Sequence, residues 1–189
     1  MTRPDPIVVF GEALDPRATT FVARAALAVP DMDELRALAA LTRLRFASFC
    51  DVPLDDVGLG HVCAASTIDN LSLQNTRVTN AGLAQLANLP LLRHLRLKDN
   101  PQLGDACVQH LLALVNLDSL QVHETSITAA GLAPLVELPW LRDLCVDDET
   151  GAFAEVRALS LRLPRCEILV KGRGCFLAGE FDGERGDWA

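Results

Sequence analysis

The chain has 189 residues, half of them apolar but only 5% aromatic and none Tyr, so it suits one ordinary domain or one short repeat array with a core of Leu, Val and Ala. A net charge of −8 argues against nucleic acid, whose phosphates call for clustered Lys and Arg, and no run approaches the roughly eighteen apolar residues of a membrane span. Six cysteines without a C-x-x-C pair match no zinc or redox spacing.

The opening MTRPDPIVVFGEALDP sets prolines and Asp around a four-residue apolar run, too short for the core of a secretory signal. The thiols are therefore expected to be reduced and mostly buried, in a cytoplasmic protein. Residues 17–41 read as two helices broken at Pro30. Together with the apolar run Ile7–Phe10 they are expected to form an N-terminal cap over residues 1–43.

From residue 44 the chain repeats itself. NTRVTNAGLAQLANLP at 75–90 and ETSITAAGLAPLVELP at 124–139 share nine of sixteen positions, 49 residues apart. The L-x-L signals begin at Leu71, Leu95, Leu120 and Leu144, so consecutive starts lie 24, 25 and 24 residues apart. The middle copy carries one extra residue, placed in the loop signature Asn100-Pro101-Gln102. Upstream a looser copy has its strand at Leu44-Arg45-Phe46, with about three additional loop residues around Cys50 and Pro53. Downstream, Ile168-Leu169-Val170 begins a closing strand, so 44–170 holds about five units and that strand.

Each L-x-L reads as a half-buried strand. Thr79, Thr128 or Asp105 supplies an oxygen suited to N-capping the helix that follows. Leu83, Leu86 and Leu89 bury one face of that helix and Pro90 ends it. Gly82 and Gly131 are costly inside a helix, which suggests close approach of the neighbouring repeat. A unit of this kind cannot bury its own apolar face, whereas stacked units can, which gives a parallel-stranded solenoid.

The pattern L-x-L-x-x-T-x-[VI]-T-x-A-G-L-x-x-L-x-x-L-P-x-L holds closely over residues 71–146 and loosely over 44–170. In it the chain resembles the leucine-rich repeat family, within the ribonuclease-inhibitor-like superfamily, in a bacterial-looking type of about 24 residues. The resemblance implies an α/β fold: a right-handed solenoid with parallel strands on the concave face, short helices outside and a helical N-terminal cap. Residues 171–189 are Gly-rich and charged, and are expected to form a closing turn or hairpin followed by a loose tail. Arg185-Gly186-Asp187 matches an adhesion tripeptide, but three letters in an acidic tail carry no weight.

No Ser-His-Asp order, phosphate loop or H-E-x-x-H appears, and no catalytic residue, cofactor or metal is expected. The informative surface comes from aligning the repeats, because stacked strands turn equivalent side chains into columns ~4.8 Å apart. The columns are Asn70, His94, Ser119, Asp143; then Ser72, Arg96, Gln121, Cys145; then Gln74, Lys98, His123, Asp147; and at the rim Asn75, Asp99, Glu124, Asp148. The candidate partner-binding residues are Asn70, Gln74, His94, Arg96, Lys98, Asp99, Gln121, His123, Glu124, Asp143, Asp147 and Asp148. Like charges stacked at the rim are destabilising unless relieved. Lys98, Arg96 or His123, a basic patch on a partner, or a bound Ca²⁺ could each relieve them. Cys145, beside carboxylates, is expected to be inert.

A protein-binding module is the leading functional expectation, since proteins of the family it resembles mostly serve protein recognition. Its narrower form is a cytoplasmic inhibitor or immunity protein that occludes a toxin or enzyme, with the −8 charge favouring a basic partner. The alternative is an adaptor that recruits a partner through its caps. A hydrolase built on Asp143, Asp147 and His123 is disfavoured, because an open solenoid face does not enclose a pocket. The strands alone offer only ~240 Å² against ~800 Å² per partner for a stable interface, so the loops near Asn75, Asp99–Gln102 and Asp148–Gly151 are expected to take part.

Overall fold

The computed structural model describes residues 6–23 and 31–188. Its spine is a nine-stranded sheet of β3 (Thr20–Ala23), β4 (Phe46–Cys50), β5 (Asn70–Gln74), β6 (His94–Arg96), β8 (Ser119–Gln121), β10 (Asp143–Val146), β11 (Glu167–Val170), β12 (Gly174–Leu177) and β13 (Glu180–Gly183), adjacent in that order. The strands run parallel from β3 to β11, and β12 and β13 then turn back antiparallel. Between strands the chain crosses the other side in short helical pieces: α1 (Asp56–Cys63), α2 (Val108–Leu111), α3 (Ala129–Leu132), α4 (Phe153–Arg162) and 3₁₀ turns such as Gly82–Asn88. Leu71, Leu73, Leu95, Leu120 and Leu144 from the strands meet Leu59, Leu83, Leu86, Leu111 and Leu135 from the helical side in one continuous core. The parallel-stranded α/β solenoid read from the sequence is present.

The 49-residue echo has a mechanical origin on the helical side. The Asp56 carboxylate accepts hydrogen bonds from Thr79 N and Oγ1, at 2.8 and 2.7 Å, one repeat further on. Asp105 does the same for Thr128, at 2.7 and 2.9 Å. Between them Asn80 accepts from Gly104 N at 2.9 Å. Asp56, Asn80 and Asp105 are thus three rungs, each binding the start of the next helix. Where the rung is Asp, the glycine three residues after the Thr is obligatory: a Cβ on Gly82 would collide with the Asp56 carboxylate, and one on Gly131 with that of Asp105. Asp, Thr and Gly recur as a set in alternate repeats, and Cys107 stands at the glycine position of the repeat between. Asp105 is therefore not the N-cap of its own helix, as its spacing suggested; its oxygens serve Thr128. Thr128 does cap α3, accepting from Gly131 N at 3.0 Å.

Asn100-Pro101-Gln102 also departs from expectation. It belongs to β7 (Asn100–Gly104), which pairs in parallel with β9 (Thr125–Ser126). Asn100 is 0% exposed. Its amide donates to the carbonyls of Leu73, Leu97 and Lys98 at 2.6–2.9 Å, and its oxygen accepts from Thr76 N and Oγ1 at 2.9 and 3.0 Å. The residue satisfies the buried Leu73 and Leu97 carbonyls and the Thr76 N–H, and it shares the Lys98 carbonyl with Asn75 N, which donates to it at 3.2 Å.

Both ends close with aromatic rings. At the N-terminal end β1 (Ile7–Val9) and β2 (Glu12–Leu14) form a hairpin, and Phe10, Phe21 and Phe49 stack with centroids 6.4 and 5.7 Å apart. The first expected helix of the cap is overturned at Thr20–Ala23, a strand whose alternate residues Phe21 and Ala23 are buried, as TFVA with its β-branched and aromatic residues favours. The rest of that helix, residues 24–30, lies outside the described residues. The second is a 3₁₀ helix at Met32–Ala40, capped by Asp31. At the other end the β12–β13 hairpin is present, but the tail is not loose. Trp188 is only 6% exposed and packs with Phe153, Phe176 and Phe181 at centroid distances of 5.2–6.2 Å. Arg185 lies over the Phe153 ring and Asp187 pairs with Arg173, so the adhesion-like tripeptide is anchored to the fold although its three residues are exposed.

Candidate functional site

Odd and even residues of a strand point to opposite faces, and the register fixes which residues line the open face of the sheet. The central column is Val22, Ser48, Ser72, Arg96, Gln121, Cys145, Leu169. Beside it run Thr20, Phe46, Asn70, His94, Ser119, Asp143, Glu167. The expected columns therefore hold through the strands, and two further positions join them at the N-terminal end. The unit placed at Leu44-Arg45-Phe46 sits three residues later, as Ala47-Ser48-Phe49, and lies 24 residues before Leu71 with no extra loop residues. Ala and Phe had disguised the L-x-L signal there; the buried Phe49 ring stacks on Phe21 and fills the tier.

This register creates a valley. Small side chains at Ser48, Ser72 and Ser119 lie between the larger Phe46, His94, Arg96 and Gln121, leaving a cleft of about 300 Å³ that Cys50 and Asn70 complete. Of the twelve candidate residues, the structure brings Asn70, His94, Arg96 and Gln121 together here. Sequence reasoning missed Phe46, Ser48 and Cys50 because of the shifted strand; a strict 24-residue offset from Leu71 would have found them.

The rim is a different environment. Asp51, Asn75, Asp99 and Glu124 follow their strands with φ of 57°, 48°, 60° and 61°. This left-handed conformation favours short Asn and Asp, which gives a backbone reason for polar residues at three of these positions. Asp148 does not share it. The stacked acids are neutralised from within: Lys98 lies 3.5 Å from Asp99 and 3.4 Å from Glu124, Lys171 also pairs with Glu124, and Arg173 lies 2.6 Å from Asp148. Gln74 donates to Asp99 at 3.3 Å. Lys171, foremost, together with Lys98 holds Glu124 well below the usual carboxylate range, at about 2. Of the internal cations expected to relieve this rim, only Lys98 does so. Lys171 and Arg173 were missed because they stand in the C-terminal turn, outside the repeat.

Two candidates are overturned as exposed contact residues. Asp147 is 9% exposed; it accepts from Thr150 N and Oγ1, both at 3.1 Å, and from Glu124 N. It ties a turn together. His123 is 6% exposed, with Nδ1 3.4 Å from Cys145 Sγ. Burial, with Lys171, Lys98 and Arg96 adding to it, pushes the His123 pKa down. Burial, then Asp147, pushes the Cys145 thiol up. Thiol and imidazole are thus both favoured in their neutral forms, the opposite of an activated thiolate–imidazolium pair. Asp143 remains exposed at the start of β10.

The fold and the valley define a class: a short parallel-strand solenoid with an open, side-chain-lined sheet face. No family model and no curated protein matches the chain. Among solved structures it is similar to an internalin C2 from Listeria monocytogenes, at 26% identity and a TM-score of 0.57 over 71% of this chain and 54% of that one. It is similar in fold to another internalin of the same organism, at 19% identity and a TM-score of 0.50 over 71% of this chain and 37% of the other. The chain spans about half the length of the first and less of the second. It is a leucine-rich repeat protein. Among the described residues no helix is long and apolar enough to cross a membrane, and all six cysteines are free thiols.

Proposed function

We propose that this leucine-rich repeat protein is a non-enzymatic module that binds another protein through the valley on the open face of its sheet. The observation that carries the reading is the contrast in polar groups. Rim charges are tied up within the chain, whereas the residues around the cleft leave about 300 Å³ open on the sheet face, room enough for side chains to enter. Trp140, 56% exposed in the turn leading into β10, adds a residue type that often anchors interfaces. Such an added contact is needed, since the strands alone offer too little area for a stable complex.

Six unpaired thiols suit a reducing compartment, which supports a cytoplasmic setting. Inhibition of a bound enzyme or toxin is the narrower form of the proposal. The case for a basic partner is weaker than the sequence suggested, because the acids thought to attract it have internal partners.

The test is capture of tagged protein complexes from the native host, with wild type and a bait carrying Ser72→Tyr and Arg96→Glu. One near-stoichiometric protein held by the wild type and lost from the variant is the expected result. If adding the chain then abolishes that protein's activity, the inhibitor form stands. A partner held equally by both baits would move the site to the caps and favour an adaptor. Recovery of no partner would remove the basis for a binding role.

A further inference from the structure

Arg96 stands apart from the other cations near the open face. Lys98 and Lys171 are held by rim acids, Arg45 by Asp69 and Arg173 by Asp148. Arg96 makes no ion pair among the described residues, and its Nε is shielded from solvent without a hydrogen-bond partner. It lines the valley, and no carboxylate is among the lining residues. Because the Nε is closed to solvent, a ligand in the valley meets the half-buried guanidinium through its terminal nitrogens. Its planar fork matches a carboxylate, which can bridge two N–H donors.

Resting on the protein-binding reading above, we propose that the valley receives an acidic side chain, Asp or Glu, from a polypeptide partner, with Arg96 as its ion-pair partner. The remaining lining fits both parts of such a side chain. The Ser119 hydroxyl and the Asn70 amide offer further donors to the carboxylate oxygens, as do the Ser48 and Ser72 hydroxyls, which otherwise meet the weakly bonding Cys50 Sγ at 3.4 and 3.9 Å. The Phe46 ring supplies apolar surface for the methylene stem. Nucleic acid fits poorly, because its phosphates are bound by clustered cations and the valley offers one arginine. The overall charge of −8 opposes an acidic partner only weakly at this place. Asp143 pairs directly with Ser119 and so lies one strand from the valley's far edge, but from His94, on the strand that carries Arg96, it is two strands away, roughly 10 Å at ~4.8 Å per strand. That separation exceeds the ~8 Å screening length at physiological salt.

The experiment selects random displayed peptides on the full-length protein. Enriched peptides are then measured by fluorescence polarisation against wild type, Arg96→Gln and Ser72→Tyr, with matched melting temperatures confirming that each variant is folded. The proposal expects enriched peptides to share an Asp or Glu at one position. Changing that residue to its amide weakens binding to wild type by about tenfold or more and leaves binding to Arg96→Gln unaltered, since the pair is already broken. Peptides that are blocked by Ser72→Tyr yet indifferent to Arg96→Gln, or that share a basic or neutral anchor, would overturn the proposal and leave the binding module intact. Peptides that ignore Ser72→Tyr, or no enrichment at all, would overturn the module reading and the proposal with it.

Discussion

The helical side and rim of this solenoid differ from its valley in what holds the polar groups of one repeat to the next: ion pairs and short hydrogen bonds on the first two, and in the valley a weak thiol contact, Cys50 Sγ to Ser72 Oγ at 3.9 Å. Asp56 and Asp105 each grip a threonine one repeat away, Asn100 binds backbone of two repeats, and Glu124 sits between two lysines. In the valley Ser48 and Ser72 are small, and Arg96 reaches no acid. A cluster of charges in a sequence is thus a poor guide to a surface for partners. The acids that looked most available stabilise the array, and the group left open is a single arginine among serines.

The sharpest way to break this comparison is to remove a rung. Asn100→Ala removes the amide partner of the Leu73 and Leu97 carbonyls and of the Thr76 N–H, while the Lys98 carbonyl keeps Asn75 N; at roughly 1–3 kcal/mol per buried unsatisfied group with partial relaxation the expected loss is about 3–5 kcal/mol. For a chain of this size that lowers the melting temperature by about 10 °C, read by calorimetry. Next comes Gly82→Ala, whose Cβ meets the Asp56 carboxylate. It is expected to cost about 1–3 kcal/mol, and distinctly less in an Asp56→Ala background. A double-mutant cycle by chemical denaturation measures that coupling; additive losses would dissolve the Asp–Thr–Gly set.

Acid sensitivity separates rim from valley more gently. The folded-state pKa of Glu124, about 2, lies below its ordinary 4.5. The stability its pairing contributes is therefore complete above about pH 4.5 and lost as pH falls through about 2. The side chain is about a third exposed, so the amount is at most about 1 kcal/mol. Glu124→Gln should flatten that part of the stability curve. The smallest expected effect is on the valley: Arg96→Gln, which breaks no ion pair, changes stability by less than about 0.5 kcal/mol while weakening partner binding.

Much of the fold was legible because burial imposes periodicity. Leu71, Leu95, Leu120 and Leu144 announce their strands, and Gly82 with Gly131 announced a close approach. What was hidden involved residues whose role lies one repeat away. Asp105 looked like a local cap because spacing along the chain cannot reveal that its oxygens reach Thr128. Asn100 resembled an inserted loop because a buried amide hub has no periodic mark. The candidate site was half visible: Asn70, His94, Arg96 and Gln121 followed from alignment of the strands. His123 and Asp147 were misjudged because a polar residue just past a strand reads as exposed until a turn closes over it, and Lys171 and Arg173 lie beyond the repeat that organised the search.

The most direct test of the central claim places a photo-crosslinking benzoylphenylalanine at Phe46, in the valley, or at Lys171, on the rim, in the native host. The account predicts a covalent adduct with one protein from position 46 and none from 171. An adduct from 171 alone, or from neither while a partner still co-purifies, would contradict it.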